Sequence, residues 1–478
     1  MLGEFPVTHI LSELERDDLL PAILFRTARK QCDSDVQKVG RSRRAILSPE
    51  MQGVLRHETQ RVIEKYRIEP VVIETHPHYE PLITTGVGAH HAGQLLVWRL
   101  LLEELMSRGL LRMMIATGTV AAGVDFPART VVVTAHSKRG SEGFDVLTSS
   151  EFQQMAGRAG RRGKDAVGIC VIAPSRFSDA RVFHQVSQRP PEPLRSSYYA
   201  APATMLNLLK YRTVDDLRFL VMKSLASYLD RKSAHAIREE AVGEEFQAEG
   251  DPSLEGERKK KVLKRVRRRI KDADVLEQRQ EVLLNASLEG LEKLGYVEKG
   301  TLTEKGLWAA NLCTSLVLEL SEAINDGLFN DLTVEELAGL VASIAGDPHR
   351  PYFSLKANPL KREYFQHLER ILVRVRENYK GPGSSSEAKV LPDAALTVLT
   401  WMEAADWPSF AGLLRLNGIA EGDVARLVSQ TADHLNQISR LAETHPVLAA
   451  AAEEARARLL RPPLTETIAA EASESVAR

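Results

Sequence analysis

Cysteine is scarce: Cys32, Cys170 and Cys313 are the only three in 478 residues, widely spaced and without a Cys-x-x-Cys pair. That excludes a disulfide framework and a thiolate zinc site, and it fits reduced thiols in a cytoplasmic protein. No run of about eighteen uninterrupted apolar residues is present, so no membrane-spanning helix is expected. The opening Met1-Leu-Gly-Glu-Phe-Pro-Val lacks the basic region and apolar stretch of a signal peptide. The net charge of −1 gives no global attraction to a polyanion, so nucleic-acid binding has to come from local patches. A phosphate-binding Gly-x-x-x-x-Gly-Lys-Ser/Thr loop is also missing. Arg162-Gly-Lys164 comes nearest, but Asp165 stands where a hydroxyl must ligate Mg²⁺.

What remains is a soluble composition, 44% hydrophobic and 27% charged, long enough for about three domains. Apolar runs at Ala22–Phe25, Val71–Glu74, Met113–Ala116, Val131–Thr134 and Val167–Ala173 read as strands of a parallel sheet, with helices between them. Gln94–Met106 is a helix stopped by Gly109, and Thr148-Ser-Ser-Glu151 has the spacing of a capping box. After Pro190-Pro191 the pattern turns helical, through Met205–Lys210 and Leu217–Leu225. From Arg258 to Lys271, ten of fourteen residues are Lys or Arg, with Val262, Leu263, Val266 and Ile270 on one face. A solvated amphipathic helix and a nucleic-acid contact both fit that segment. Leu291–Gly306 reads as a helix end followed by a small hairpin, the way a winged helix finishes. The rest is helical, broken at Gly381–Ser386, with a polar tail after Pro462-Pro463 expected to be mobile.

Two motifs carry chemistry. In Ala116–Arg129 a strand ends in small residues: Thr117 and Thr119 offer hydroxyls, Gly118 and Gly123 allow close backbone approach, and Asp125 can accept from a ribose or pair with an arginine. A tight strand-to-helix turn would use the same residues. Gln154-Met-Ala-Gly-Arg-Ala-Gly-Arg161 is more specific, because it places Gln154, Arg158 and Arg161 in fixed register on one and a half turns at the end of a helix. Arginines so placed can stabilise charge on a triphosphate held elsewhere. His90 and His91 lie in Gly86–Gly93, with His76 and His78 upstream. Adjacent histidines at a strand end diverge, which disfavours shared metal ligation and leaves them as hydrogen-bond anchors.

The ordered set Pro21–Arg29, Gly86–Gly93, Ala116–Ala128, Lys138-Arg-Gly and Gln154–Gly163 resembles the second RecA-like domain of superkiller-type, exosome-associated DExH-box RNA helicases of superfamily two. Met205–Leu209, Leu294-Gly-Tyr and Leu302–Gly306 resemble the family's winged helix, and Trp401, Ile419–Arg426, Asp433 and Leu435-Asn-Gln437 its helical bundle with a ratchet helix. The resemblance implies an α/β RecA-like parallel-sheet domain (1–190), a winged-helix module (191–310) with a basic helical insertion (236–280), and an all-α bundle (311–462) ahead of the tail (463–478).

It also implies roles. Arg158 and Arg161 would be arginine fingers and Gln154 a nucleotide contact, with Gly123 and Asp125 facing the nucleotide. Phe25, Arg29, Gly93, Thr117, Thr119 and Arg426 would lie toward nucleic acid. ATP and Mg²⁺ would be held mainly by the family's first RecA-like domain, whose motifs are not in this sequence, so that domain is an expected partner. The family's RNA-binding arch has too little room in the roughly fifty residues between Leu229 and Glu281 for a separate module. RNA is the expected substrate and DNA remains open, because Ala121–Asp125 also resembles archaeal-type DNA repair helicases. An ATPase-deficient nucleic-acid-binding or regulatory protein is the alternative.

Overall fold

The computed structural model describes residues 5–118, 128–139, 143–175, 178–196, 200–250, 256–354, 359–383 and 388–465. Its first part runs α1 (Val7–Arg16), β1 (Ala22–Arg26), α2 (Arg29–Gly40), α3 (Pro49–Lys65), α4 (Pro70–Glu74), α5 (Tyr79–Thr85), β2 (Val87–His90), α6 (Leu96–Ser107), β3 (Met113–Thr117) and β4 (Thr130–Val133). A small antiparallel pair follows, β5 (Ser137–Arg139) and β6 (Phe144–Val146), then α7 (Ser149–Ala156), β7 (Ile169–Ile172) and α8 (Ala180–Gln188). Strands β2-β3-β1-β4-β7 form one parallel sheet.

Side-chain alternation sorts the sheet's two faces. Ala22 and Leu24 pack with Val7, Leu11, Val36 and Val39 of α1 and α2. Ile23 and Phe25 point the other way, into a core with Leu55, Trp98, Leu101 and Leu105 of α3 and α6. With helices on both faces, the strands read as apolar runs, which is why four of the five expected strands coincide with observed ones. The fifth, Val71–Glu74, is helix α4. Pro70 at its first position fixes φ where a helix begins, and a four-residue apolar run cannot by itself separate strand from helix. Strand β2 lies instead in the glycine-rich segment, where Gly88 leaves room for Leu102, whose Cδ2 would be 2.4 Å from a Cβ.

The chain continues through α9 (Pro202–Leu209) and α10 (Val214–Lys223) into two long helices, α11 (Leu225–Gly250) and α12 (Gly256–Lys293). Ser227, Ala234, Ala241 and Ala248 on α11 and Val266, Ala273, Gln280 and Ser287 on α12 are all buried. Small or compact side chains at every seventh position let two helices run close together as a coiled pair. Their order is antiparallel: Glu244 pairs with Arg265, Glu240 with Arg269 (2.6 Å), Arg238 with Asp274 (2.7 Å) and Asp230 with Gln280 (2.8 Å). The basic segment is therefore one strand of a hairpin. Arg265 and Arg269 face acidic α11, while Lys260, Lys264, Arg267 and Lys271 are exposed.

Helix α12 ends in the hairpin β8 (Val297–Glu298) and β9 (Thr301–Leu302), followed by α13 (Glu304–Ala309). The remaining helices are α14 (Val317–Asn325), α15 (Val334–Ala345), α16 (Arg362–Asn378), α17 (Pro392–Glu403), α18 (Trp407–Leu416), α19 (Glu421–Ser439) and α20 (Pro446–Leu459). Trp401, Trp407 and Phe410 pack about one another, edge-on or tilted, at 5.1–5.5 Å between ring centroids. Trp401 Nε1 donates to the Leu459 carbonyl and Trp407 Nε1 to Glu421, each at 3.0 Å, so burying the indoles strands no donor. Among the described residues no helix is long and apolar enough to cross a membrane. Of the expected tail, 463–478, the residues after 465 lie outside them.

Candidate functional site

A cleft of about 390 Å³ opens at the carboxyl ends of β1, β3 and β4. The chain passes from β3 on one side of β1 to β4 on the other, and such a switch leaves a crevice between the diverging loops. Phe25, Thr117 and Gly118 form its sheet-side wall, and Lys138, Glu151, Gln154 and Met155 the wall opposite. Four residues singled out from sequence, Phe25, Thr117, Gly118 and Gln154, thus share one cavity. Lys138 and Glu151 form a close ion pair there. Burial pushes the Glu151 carboxyl up, but the Lys138 ammonium and the Thr148 amide hold it net below its ordinary range. Under the cleft Arg26 and Asp35 make a buried ion pair at 2.8 Å.

Helix α7 enters this site on a complete capping box: the Thr148 hydroxyl accepts from the Glu151 amide, and Glu151 accepts from the Thr148 amide. Glu192, far along the chain, adds a second cap by accepting from the Ser149 and Ser150 amides, each at 2.9 Å. Its hydrogen bonds with Ser150, first the hydroxyl and then the backbone, hold the Glu192 carboxyl at about 2 against an ordinary 4.5. A depressed carboxyl stabilises the fold above its unfolded pKa and loses that contribution as pH falls through the folded one. Wild type should therefore lose melting temperature more steeply than Glu192→Gln between about pH 4.5 and 2, with the curves converging at the acid end. Parallel curves would show that Glu192 does not cap α7.

Beyond Ala156 the arginine motif leaves the helix. Gly157 caps it, and the following segment is tied to the start of β4: Ala128 donates to the Arg158 carbonyl (2.9 Å) and accepts from the Gly160 amide (2.7 Å). Gly160 has φ +92°, and a Cβ there would sit 3.0 Å from the Gly168 Cα. Only glycine combines that backbone with that crossing. Arg158 and Arg161 therefore stand on an anchored loop rather than on the helix that the sequence spacing suggests. Arg161 is gripped by Asp165 through Nε (2.8 Å) and Nη2 (2.9 Å), and the Arg161 amide donates to the same carboxylate (2.9 Å). The guanidinium holds Asp165 far below the ordinary carboxylate range. A forked pair fixes the guanidinium plane while leaving its other N–H groups available. Asp165 was legible only as the residue that spoils a phosphate loop; its position four after Arg161 was the available signal.

The other residues singled out divide between two places. Arg29, at the start of α2, donates from Nη1 to both carboxylate oxygens of Asp423 of α19 (2.8 and 2.9 Å), and the Gly93 carbonyl accepts from the Gly422 amide (2.9 Å). Both belong to the joint between the sheet and the helical region. Arg426 is exposed on α19 and lines a second cleft of about 430 Å³ against the start of α6. Thr119, Gly123 and Asp125 lie outside the described residues.

The histidines around the joint are anchors. His76 Nε2 meets Gln94 at 2.8 Å, His91 Nε2 meets Asp33 at 2.9 Å, and His90 Nε2 meets Glu103 at 2.6 Å. Burial keeps His76, His78 and His90 below the ordinary imidazole range, and His76 and His90 are held by their hydrogen bonds to Gln94 and Glu103. Among the described residues no group of three or more His, Cys, Asp or Glu could hold a metal ion.

Fold and clefts define a RecA-like α/β domain joined to a helical C-terminal region. Residues 299–466 match the DSHCT (NUC185) domain family. The chain is 32% identical over 238 residues to superkiller complex protein 2 of Homo sapiens, covering 49% of this chain and 19% of that protein. It is 30% identical over 254 residues to the DExH-box ATP-dependent RNA helicase DExH15, chloroplastic, of Arabidopsis thaliana, covering 49% and 21%. The probable helicase HelY of Mycobacterium leprae is 30% identical over 242 residues, covering 48% and 25%. The chain is thus similar, over about half its length, to superkiller-type and other DExH-box helicases, and it spans about a fifth to a quarter of the length of these relatives.

Proposed function

We propose that this chain is the C-terminal part of an ATP-dependent RNA helicase. Arg158 and Arg161 complete an ATP site whose phosphate loop and Mg²⁺ ligands belong to an N-terminal RecA-like domain, fused or separate. The observation that carries this reading is the anchored arginine loop: two β-type hydrogen bonds to Ala128 and a forked carboxylate on Arg161 hold the segment that follows Gln154 and Met155 of the first cleft's wall, and a binding surface alone would not need so fixed an arginine. Donors held in place before the reaction stabilise departing phosphate charge most effectively. The groups available here suit the anionic side of ATP, while Mg²⁺ suits carboxylates of the other domain, where it would neutralise phosphate charge.

Single-stranded RNA runs past Phe25, Thr117 and Thr119 toward Arg426. The unit from α9 through the β8–β9 hairpin to α13 is a winged-helix module, and α19 is the ratchet helix. The protein acts in the cytoplasm without a membrane.

The test is to mix the 478-residue chain with a phosphate-loop-bearing RecA-like domain from such a helicase and follow ATP hydrolysis with and without single-stranded RNA. The chain alone should show no turnover, and the mixture should show turnover that the strand stimulates. An inactive mixture, with tight RNA binding by the chain alone, would instead favour the ATPase-deficient regulatory reading. Matched RNA and DNA 3′ overhangs separate an RNA helicase from half of a DNA repair helicase. Contacts through phosphates predict little sequence preference and a steep salt dependence.

A further inference from the structure

The outer half of the α11–α12 hairpin presents a face that its own packing leaves bare. Ala241, Ala248, Val266 and Ala273 are buried in the seam between the helices, and each further residue of an α-helix turns about 100° from the last. In an antiparallel pair, residues turned in the same sense from the seam emerge on the same face. The observed ion pairs obey this: Glu240, just before Ala241, meets Arg269, three after Val266, at 2.6 Å, and Glu244, three after Ala241, meets Arg265, just before Val266. Those pairs close one side of the hairpin. On the other side Val242, Glu249 and Arg267 each follow a seam residue by one, while Glu239, Phe246, Lys264 and Lys271 each precede one by two; with Lys260, all are exposed, and Glu245 is half-buried beside them. An acidic row on α11 thus runs next to a basic row on α12. Within the acidic row Phe246 is 79% and Val242 56% exposed.

Such a face suits nucleic acid poorly, because the carboxylates of Glu239, Glu245 and Glu249 stand beside the cations that phosphates would seek. A phosphate backbone also leaves the bare Phe246 and Val242 unused. The face is complementary to itself. We propose that it docks on the same face of a second copy of this chain. A twofold axis along the hairpin lays α11 of one copy on α12 of the other, so the acidic row meets the basic row twice; an axis across the hairpin would set α11 on α11 and oppose like charges. The heights fixed by the Glu244–Arg265 and Glu240–Arg269 pairs bring Glu239 of one copy opposite Lys271 of the other, and Phe246 opposite Lys264, whose ammonium covers the ring. The rows start about 20 Å beyond the beginning of α11, which sets the contact out from the base of the hairpin. An interface confined to this segment is small, so the dimer is weak, with a dissociation constant above about 1 μM, and sensitive to salt.

The experiment is sedimentation velocity of the full chain from about 1 to about 200 μM, at low and at high salt. The parent should pass from monomer to dimer across that range, and about 0.5 M salt should weaken the dimer about tenfold. Lys260→Glu/Lys264→Glu/Arg267→Glu/Lys271→Glu turns the basic row acidic, and Glu239→Lys/Glu245→Lys/Glu249→Lys turns the acidic row basic. Each of these two variants should stay monomeric, because its rows then repel those of a second copy. Mixed in equal amounts they should associate at least as tightly as the parent, since every row again meets its opposite. Phe246→Ser should weaken the parent dimer about tenfold without lowering the melting temperature, because the ring it removes is exposed in the monomer.

Association of the mixture, with neither variant associating alone, supports the proposal and cannot arise from a folding defect. A parent that stays monomeric at every concentration and salt overturns it. A dimer that the reversed variants form as readily as the parent is made by another surface and overturns it as well, as does a mixture that fails to associate. Loss of nucleic-acid binding in the variant with the reversed basic row, from a monomeric parent, assigns that row to phosphates and equally overturns it.

Discussion

Arg161→Ala is expected to lower strand-stimulated ATP hydrolysis by the reconstituted enzyme about 10³–10⁵-fold, the contribution of an arginine finger in phosphate-loop enzymes, while leaving strand affinity near the parent value. The guanidinium is already oriented by its fork on Asp165 and by the backbone tie at Ala128, so little reorganisation is needed as charge develops on the leaving phosphate. Arg161→Lys should not rescue, because an ammonium cannot hold the carboxylate and a phosphate oxygen in one plane. Asp165→Asn keeps the shape but loses the charge-assisted fork, and should cost about tenfold to a hundredfold, in kcat rather than KM. Activity within a few-fold of the parent in Arg161→Ala would remove the finger role and leave the loop a structural one. A stopped-time phosphate-release assay with parallel RNA-binding measurements separates the two.

The sheet was largely legible in the sequence because buried parallel strands leave continuous apolar runs, as at Met113–Ala116 and Val131–Thr134. The capping box at Thr148 was legible because it is a local pattern. Long-range partners left no such mark. Nothing near Glu192 shows that its carboxylate caps a helix that begins at Ser149, and Asp423 looks like one acidic residue in an ordinary helix start. The glycine at 422 reads as a weak point in a helix until the backbone it touches is known. The arginine motif was found by composition but misplaced in conformation: Gly157 ends α7, and the register of Arg158 and Arg161 comes from β4 rather than from helical spacing. Of the second cleft, sequence pointed to Arg426 and Asp433 of α19 and not to Leu96, Val97 and Arg99 of α6, which line it with them, because a strongly apolar helix start attracts no notice.

The joint between the sheet and α19 is expected to fail when either of two contacts is removed, and to fail as a joint rather than as a core. A Cβ at Gly422 would lie 2.5 Å from both the Ala92 and Gln94 carbonyl oxygens. Those atoms are backbone and cannot rotate away, so Gly422→Val must displace α19 or the loop, at a cost of about 1–3 kcal/mol typical of overpacking. Arg29→Met removes the guanidinium that donates to both oxygens of Asp423, whose side chain is only 6% exposed, and leaves Arg350 at 3.7 Å as the nearest cation. A buried charge that loses its partner costs about 3–5 kcal/mol; Arg29 is itself 25% exposed, and water admitted there brings the expectation to about 2–3 kcal/mol. Neither change replaces a residue of the Trp401–Trp407–Phe410 cluster or of the sheet, so each unit keeps its own core side chains. Calorimetry should then resolve one parental transition into two, the helical region melting apart from the α/β domain, with new proteolytic cleavage between them. A single transition at the parental temperature in both variants would mean that the contact does not hold the units together. If the units do separate, strand binding should weaken in the same variants even though Phe25, Thr117 and Arg426 are intact, because residues on the sheet and on α19 can grip one strand only while the joint keeps their clefts in register.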